Sequence, residues 1–134
     1  MKIKVIYLDD LEDARKLGGN LNNLGYSVEL EKIAPSSNID SRFDVVVIYI
    51  EKNIHSYLDV DDLLKSYSLG GVRIIGVHSI SRNNNIIPTT LNKVADAIVC
   101  WDMGFLKRAI EGEDIFVDAE CQMPTKKKIS RHAC

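Results

Sequence analysis

The stretch Arg73–Asp102, RIIGVHSISRNNNIIPTTLNKVADAIVCWD, decides the fold of this chain. It contains two short apolar runs, Ile74–His78 and Ala97–Trp101, separated by a polar, asparagine-rich loop and a helical turn that starts at Pro88. Short apolar runs joined by a helical connection are typical of buried parallel strands with a crossover between them. The stretch therefore predicts two neighbouring strands of a parallel α/β sheet.

The same alternation of apolar runs and helical patterns extends over the rest of the chain. The predicted strands are Lys2–Leu8, Tyr26–Ile33, Asp44–Ile50, Val72–His78 and Ala97–Trp101. Helical spacing of apolar residues predicts helices over 13–24, 59–69, 88–94 and 102–111. Strands that alternate with helices predict an α/β fold: a single-domain, flavodoxin-like, doubly wound five-stranded parallel sheet of order 2-1-3-4-5.

Glycines mark two features of the first predicted helix. Gly25 fits the left-handed residue that closes a helix. The pair Gly18-Gly19 lies inside the helix, where each glycine costs about 1 kcal/mol relative to alanine. Close packing of the backbone against a neighbouring element would explain the pair.

The end of the chain differs from the rest in composition. We place the boundary of the α/β domain, residues 1–112, before an irregular C-terminal extension, residues 113–134, with a short hairpin around Ile115–Ala119. The last residues form a basic tail with Lys126, Lys127, Lys128 and Arg131 and no acidic residue. Such a tail is most often solvated, with phosphate or nucleic-acid contact as the alternative.

Overall composition is that of an ordinary globular protein, with 46% hydrophobic and 27% charged residues and a net charge of −2. No apolar run approaches the roughly 18 residues that span a membrane, and the N-terminus does not resemble a signal peptide, so we expect a cytoplasmic protein. Nucleic-acid binding needs a basic face, which the acidic body lacks.

Cys100, Cys121 and Cys134 are too few and too scattered for a disulfide framework or a zinc cluster. We therefore expect reduced, structural thiols and no metal site. No phosphate-binding glycine loop and no nucleophile elbow occurs.

Polar and aromatic residues follow the predicted strands at their carboxyl ends, where ligands bind in such sheets. These residues are Asp9, Asp10, Glu51, His78, Ser79, Cys100 and Trp101. Each has a simpler interpretation beside the functional one. Asp9 or Asp10 can cap the first helix, and Trp101 can cover the edge of the core instead of stacking on a planar ligand.

The N-terminal half, VIYLDDLEDARKLGGNLNNLGYSVE, resembles a response-regulator receiver domain, with paired acids after the first strand. In FDVVVIYIEKN, Tyr49 occupies the position of the phospho-acceptor aspartate, and the lysine expected after the fifth strand falls at about Cys100. This resemblance implies a pseudo-receiver without Mg²⁺-dependent phosphoryl acceptance.

The C-terminal half, with RIIGVHS, IIPTTLNKVADAIVCWD and FLKRAIEG, resembles bacterial TIR-like (Toll/interleukin-1 receptor-like) proteins, including the Thoeris antiphage type. Catalytic TIR domains cleave the nicotinamide–ribose bond of NAD⁺ with a glutamate on the helix after the third strand. Here SYLDVDDLLKSYSLGG contains no glutamate, and the position falls at Leu63, or at Asp62 with one inserted residue.

The TIR resemblance therefore implies a nucleotide-related defence or signalling domain with Asp62 as catalytic residue. Asp9, Asp10, Glu51, His78, Ser79 and Trp101 would bind the ligand. NAD⁺ would be a substrate or ligand; no resident cofactor is expected. The alternative is a catalytically inactive TIR-like or pseudo-receiver module that binds a nucleotide, a protein partner or a second copy of itself.

Overall fold

A computed structural model describes residues 1–33, 43–51, 54, 58–79 and 87–122 of the chain. Its elements are β1 Lys2–Tyr7, α1 Leu11–Asn23, β2 Ser27–Lys32, β3 Val45–Ile50, α2 Leu58–Leu69, β4 Arg73–His78, α3 Thr89–Val94, β5 Ala97–Val99 and α4 Met103–Ile110. The five strands form one parallel sheet in the order β2-β1-β3-β4-β5. The predicted flavodoxin-like fold and its strand order are confirmed.

The helices cover both faces of the sheet and divide the core into two layers. On one face, α1 and α4 contribute Leu17, Leu21 and Leu106 to a cluster with the odd-numbered residues of β3. On the other face, α2 and α3 pack Leu64 and Leu91 against the even-numbered residues. All six residues of β3 are buried because this central strand has a strand on each side and helices on each face.

Gly25 and Gly71 follow α1 and α2 in the left-handed region, with φ angles of 100° and 74°. A residue with a Cβ atom rarely adopts this conformation, so glycine ends each helix and turns the chain toward the next strand. The helix end predicted from Gly25 is confirmed.

The predicted hairpin around Ile115–Ala119 is wrong. The N–H of Ile98 donates to the carbonyl of Ile115 (2.8 Å), and the N–H of Val117 donates to the carbonyl of Ile98 (2.9 Å), which makes a parallel bridge beside β5. We call residues 113–122 the strap. β5 has only three residues, and its outer edge would leave backbone groups unpaired; the strap pairs them and buries Ile115 and Val117 in the core.

The expectation of reduced thiols is also wrong for two cysteines: Cys100 and Cys121 form a disulfide. The strap runs parallel to β5, so its last residues come level with the residue that follows that strand. The 21-residue separation in sequence gives no hint of this arrangement. Cys134, the basic tail, the asparagine-rich loop and most of the connection from β2 to β3 lie outside the described residues.

Across the described ranges, no helix is long and apolar enough to cross a membrane.

Candidate functional site at the carboxyl edge of the sheet

Glu51 directly follows β3, and its carboxylate reaches the loop that follows β1, the neighbouring strand. The backbone N–H of Leu8 donates to Oε2, and those of Asp9 and Asp10 donate to Oε1 at 3.0 and 2.9 Å. Glu51 is only 8% exposed. Successive backbone N–H groups aimed at one point form an anion-binding concavity. Here the chain fills that concavity with its own side chain.

Asp10 caps α1, since its Oδ1 accepts a hydrogen bond of 3.0 Å from the backbone N–H of Asp13. This is the capping role that the sequence offered as the alternative to ligand binding. Asp9 lies beside it with an exposed side chain. The paired acids therefore have different surroundings, and only one of them has a structural role in the helix.

Tyr49, on β3, fills the space between α1 and the end of β5. It is 1% exposed, and its hydroxyl donates a hydrogen bond of 2.8 Å to Oδ2 of Asp13. The ring of Trp101 meets it edge-on, with centroids 5.6 Å apart and an interplanar angle of 84°. Burial raises the pKa of Tyr49 well above its usual value, and the hydrogen bond to Asp13 and the charges of Asp10 and Glu51 raise it further.

Asp13 and Tyr49 are the two site residues that were not among the predicted ligand-binding positions. Their contact joins α1 to β3 across 36 residues, so no local pattern indicates it. The receiver resemblance singled out Tyr49 as a replacement. Asp13 had only the acidic run DDLED as a signal, and that run is equally typical of a helix start.

His78, at the end of β4, is buried, and its Nε2 lies 3.2 Å from the carbonyl oxygen of Val117 in the strap. A carbonyl oxygen only accepts, so Nε2 carries the proton and donates. Nδ1 is buried without a hydrogen-bond partner among the described residues. Burial lowers the pKa of His78, which therefore holds the strap as a neutral ring. Ser79, the next residue, is also buried.

Asp62 is separated from Tyr49 and Trp101 by the sheet. It lies exposed on α2, which packs on the opposite face of the sheet from Tyr49 and Trp101. The structure therefore brings Asp10, Glu51 and Trp101 to one edge around Tyr49 and leaves Asp62 outside that group.

Two further observations concern ligands. In the part of the chain that the structure describes, no group of three or more His, Cys, Asp or Glu side chains is arranged to hold a metal ion. A cavity of about 170 Å³ lies at the opposite end of β1 and β2, lined by Lys2, Ser27, Val28, Glu29 and Phe43. Ligand pockets typically measure about 300–1,000 Å³, so this cavity gives no support to a dinucleotide site.

Comparison with known proteins gives matches in structure alone: no family model matches the chain, and no curated protein does. A two-component response regulator from Clostridium difficile is 20% identical, covers 83% of this chain and 96% of its own, and has a TM-score of 0.56. The response regulator ChrA of a heme-sensing two-component system is 17% identical over 99% of this chain and 67% of its own, with a TM-score of 0.62.

The receiver domain of Francisella response regulator 1452 is 18% identical over 81% of this chain and 93% of its own, with a TM-score of 0.50. None of these three structures is a TIR protein, and the TIR resemblance keeps only the sheet topology that both folds share. The chain has the fold of response-regulator receiver domains.

Proposed function

We propose that this chain is a pseudo-receiver: a signalling module that acts through a protein partner or a second copy of itself and does not accept a phosphoryl group. The observation that carries this proposal is the state of Tyr49. It stands where a receiver has its acceptor aspartate, and it is buried with its hydroxyl committed to Asp13.

The chemistry of phosphoryl acceptance explains why this substitution matters. An acceptor must offer a charged, reachable oxygen, and a carboxylate does so at neutral pH. Tyr49 offers a neutral hydroxyl, because its pKa is raised and its proton is donated to Asp13. With 1% of the residue exposed, an incoming phosphoryl donor has no approach to that oxygen.

The charges around Tyr49 are also unsuited to a metal-bound phosphoryl group. Glu51 is held by backbone N–H groups, and the Asp10 carboxylate caps α1. Beyond β5, Cys100 is in a disulfide and Trp101 packs on Tyr49, so neither supplies the cation that stabilises a transferring phosphoryl group. At this edge, the side chains of Asp10, Tyr49 and Glu51 are instead each committed to hydrogen bonds within the chain.

A module of this kind has a fixed surface to present to other proteins, because its former reaction site is part of the packing. The nucleotide interpretation gains no comparable support, because Asp62 lies exposed on α2, on the opposite face of the sheet from Tyr49, and the structures described above are response regulators. We therefore propose partner binding or self-association as the function of this module.

The test is phosphorylation by small-molecule donors. We expect no adduct by intact-mass spectrometry after incubation with acetyl phosphate and Mg²⁺, while the Clostridium difficile response regulator, treated identically, serves as the positive control. A Mg²⁺-dependent, hydroxylamine-labile adduct on this chain would refute the proposal. Release of nicotinamide from NAD⁺ that the Asp62→Ala substitution abolishes would instead support the TIR interpretation.

A further inference from the structure

We propose that the Cys100–Cys121 disulfide is a thiol–disulfide exchange site for a dithiol reductant, and that its reduction releases the end of the strap beside Trp101. The exchange reaction itself does not depend on the proposed function. Only its use as the signal input of the module rests on that proposal.

The two sulfurs differ in their access to solvent. Cys100 is 1% exposed and belongs to the core cluster under α4, whereas Cys121 is half-buried at the outer end of the strap. An incoming thiolate therefore reaches Sγ of Cys121. Exchange rates depend on which sulfur can be attacked and on access to it, so the arrangement fixes the direction of the reaction.

The reaction balances with a dithiol as the two-electron reductant. Its first thiolate forms a bond to Sγ of Cys121, and the bond between the two protein sulfurs breaks with Cys100 leaving as a thiolate. The second thiol of the reductant then attacks its own sulfur in the mixed disulfide and releases Cys121 as a thiolate. The reductant ends as a disulfide, and the protons of its two thiols neutralise Cys100 and Cys121.

Residues 118–122 form a turn whose hydrogen bonds are internal to it, so the disulfide is the covalent tie between this turn and the core. Cys121 has a φ of 67°, and among the described residues no other residue apart from glycine has a positive φ. This left-handed conformation is unfavourable for a residue with a Cβ atom. A turn maintains it: the N–H of Cys121 donates to the carbonyl of Asp118, and Oδ1 of Asp118 accepts from the N–H groups of Glu120 and Gln122.

The rest of the strap has anchors that do not depend on the disulfide. Val117 is bound to Ile98 and to Nε2 of His78. Arg73 donates to the carbonyl of Glu113 (2.7 Å) and to Asp114 (3.1 Å). Reduction is therefore expected to free residues 118–122 while 113–117 stay on β5, which gives a local change and not unfolding.

That change occurs next to the candidate site. Cys100 immediately precedes Trp101, whose ring lies against Tyr49, and Tyr49 binds Asp13 on α1. Trp101, half-buried beside the disulfide, thus connects the redox state of the strap to Tyr49 and Asp13. Trp101 is also the only tryptophan of the chain, so its fluorescence reports on this position alone.

The experiment uses the full chain with Cys134→Ser, after peptide mapping of the wild-type chain has located the crosslink. Under native conditions, we expect no thiol to react with maleimide before dithiothreitol and one thiol, that of Cys121, afterwards, since Cys100 stays in the core. Labelling of the reduced chain in denaturant should then give two. Trp101 fluorescence should change in parallel and recover on reoxidation. The matched control adds Cys121→Ser, at a half-buried position. Its fluorescence should be indifferent to dithiothreitol and equal to that of the reduced chain.

Three results would overturn the proposal: reduction that occurs only in denaturant, reduction without a change in Trp101 fluorescence, or a crosslink that joins Cys134 to either cysteine. These are separable from the phosphorylation result. A chain that exchanges its disulfide and also takes up a phosphoryl group refutes the proposed function alone, and a chain that does neither refutes the exchange site alone.

Discussion

The hydroxyl of Tyr49 lies 2.8 Å from Oδ2 of Asp13 and donates a hydrogen bond to it, joining β3 to the first turn of α1. Under the proposed function, Tyr49 takes the place of the charged acceptor of a receiver. It is a neutral hydrogen-bond donor, and its ring packs in the core. Of the acidic residues at this edge, Asp10, Asp13 and Glu51 support the packing of β1, β3 and α1, whereas the Asp9 side chain is exposed.

Tyr49→Phe should remove this hydrogen bond and leave the ring in place. The expected loss in the free energy of unfolding is about 1 kcal/mol, because Asp13 is only partly buried and can be solvated in the variant. Urea denaturation measures it. A loss above about 3 kcal/mol would show that the hydroxyl has a further role. Tyr7→Phe, at a half-buried position, is the control for removing a phenolic oxygen.

Alkaline pH should destabilise the wild-type chain through the same tyrosine. The pKa of Tyr49 is raised in the folded state above the usual 10.0, mainly by burial. The unfolded chain therefore loses this proton above about pH 10 while the folded chain keeps it, and stability present below that pH is lost as the pH rises. Urea denaturation between about pH 9 and pH 11 should give a steeper fall for wild type than for Tyr49→Phe. Equal slopes would contradict the assignment.

Glu51→Gln should be among the most damaging single changes at the carboxyl edge. The amide offers one acceptor oxygen where the carboxylate offers two, and its NH₂ group faces the backbone donors of residues 8–10. We expect a loss of about 2–3 kcal/mol, since buried hydrogen bonds to a charged group are involved. Asp9→Asn changes the same charge at an exposed position and should stay within about 0.5 kcal/mol of wild type. Similar losses for the two variants would refute this role of Glu51.

The periodicity of the sequence predicted most of the fold, because buried strands and amphipathic helices leave local patterns. The strand Asp44–Ile50 and the helix 59–69 differ from the observed β3 and α2 by one residue at their starts. The carboxyl edge could be located in the same way, since it depends only on where strands end.

The partners within that edge could not be predicted. The contacts of Tyr49 with Asp13 and of Glu51 with Asp10 join elements 36 and 41 residues apart, and their geometry depends on strand register. The strap was missed for a related reason. A single parallel bridge beside Ile98 has no repeating pattern, so residues 115–117 looked like the start of an irregular extension.

The pair Gly18-Gly19 provides a test within α1. An added Cβ at Gly19 would have open space around it, whereas one at Gly18 would lie 3.2 Å from Cδ2 of Leu30 on β2. Gly19→Ala should therefore stabilise the chain by about 0.5–1 kcal/mol, the usual gain in a helix interior. Gly18→Ala should gain less, because Leu30 must move. Thermal unfolding of the two variants decides between them, and a larger gain at Gly18 would contradict the packing.

His78 should make the chain less stable in mild acid. Burial lowers its pKa in the folded state below the usual 6.5, so the unfolded chain takes up this proton first. The contribution is complete above about pH 6.5 and is lost as the pH falls below it. Urea denaturation at about pH 7.5 and pH 5 should show the loss, and His78→Gln should reduce the slope. An NMR titration that places the His78 pKa at or above 6.5 would refute the expectation.

Reduction of the Cys100–Cys121 disulfide should lower the free energy of unfolding while leaving the fold intact. The bond spans 21 residues of sequence, and a loop of that length predicts a loss of about 3 kcal/mol, mainly because the unfolded chain gains freedom. Folding should survive, since Arg73, Ile98 and His78 hold the first half of the strap without the disulfide. Chemical denaturation of the Cys134→Ser chain with and without dithiothreitol measures the difference, and Cys121→Ser should match the reduced value. If the reduced chain instead lost its far-ultraviolet circular dichroism, the disulfide would be a condition of folding and could not serve as a reversible input.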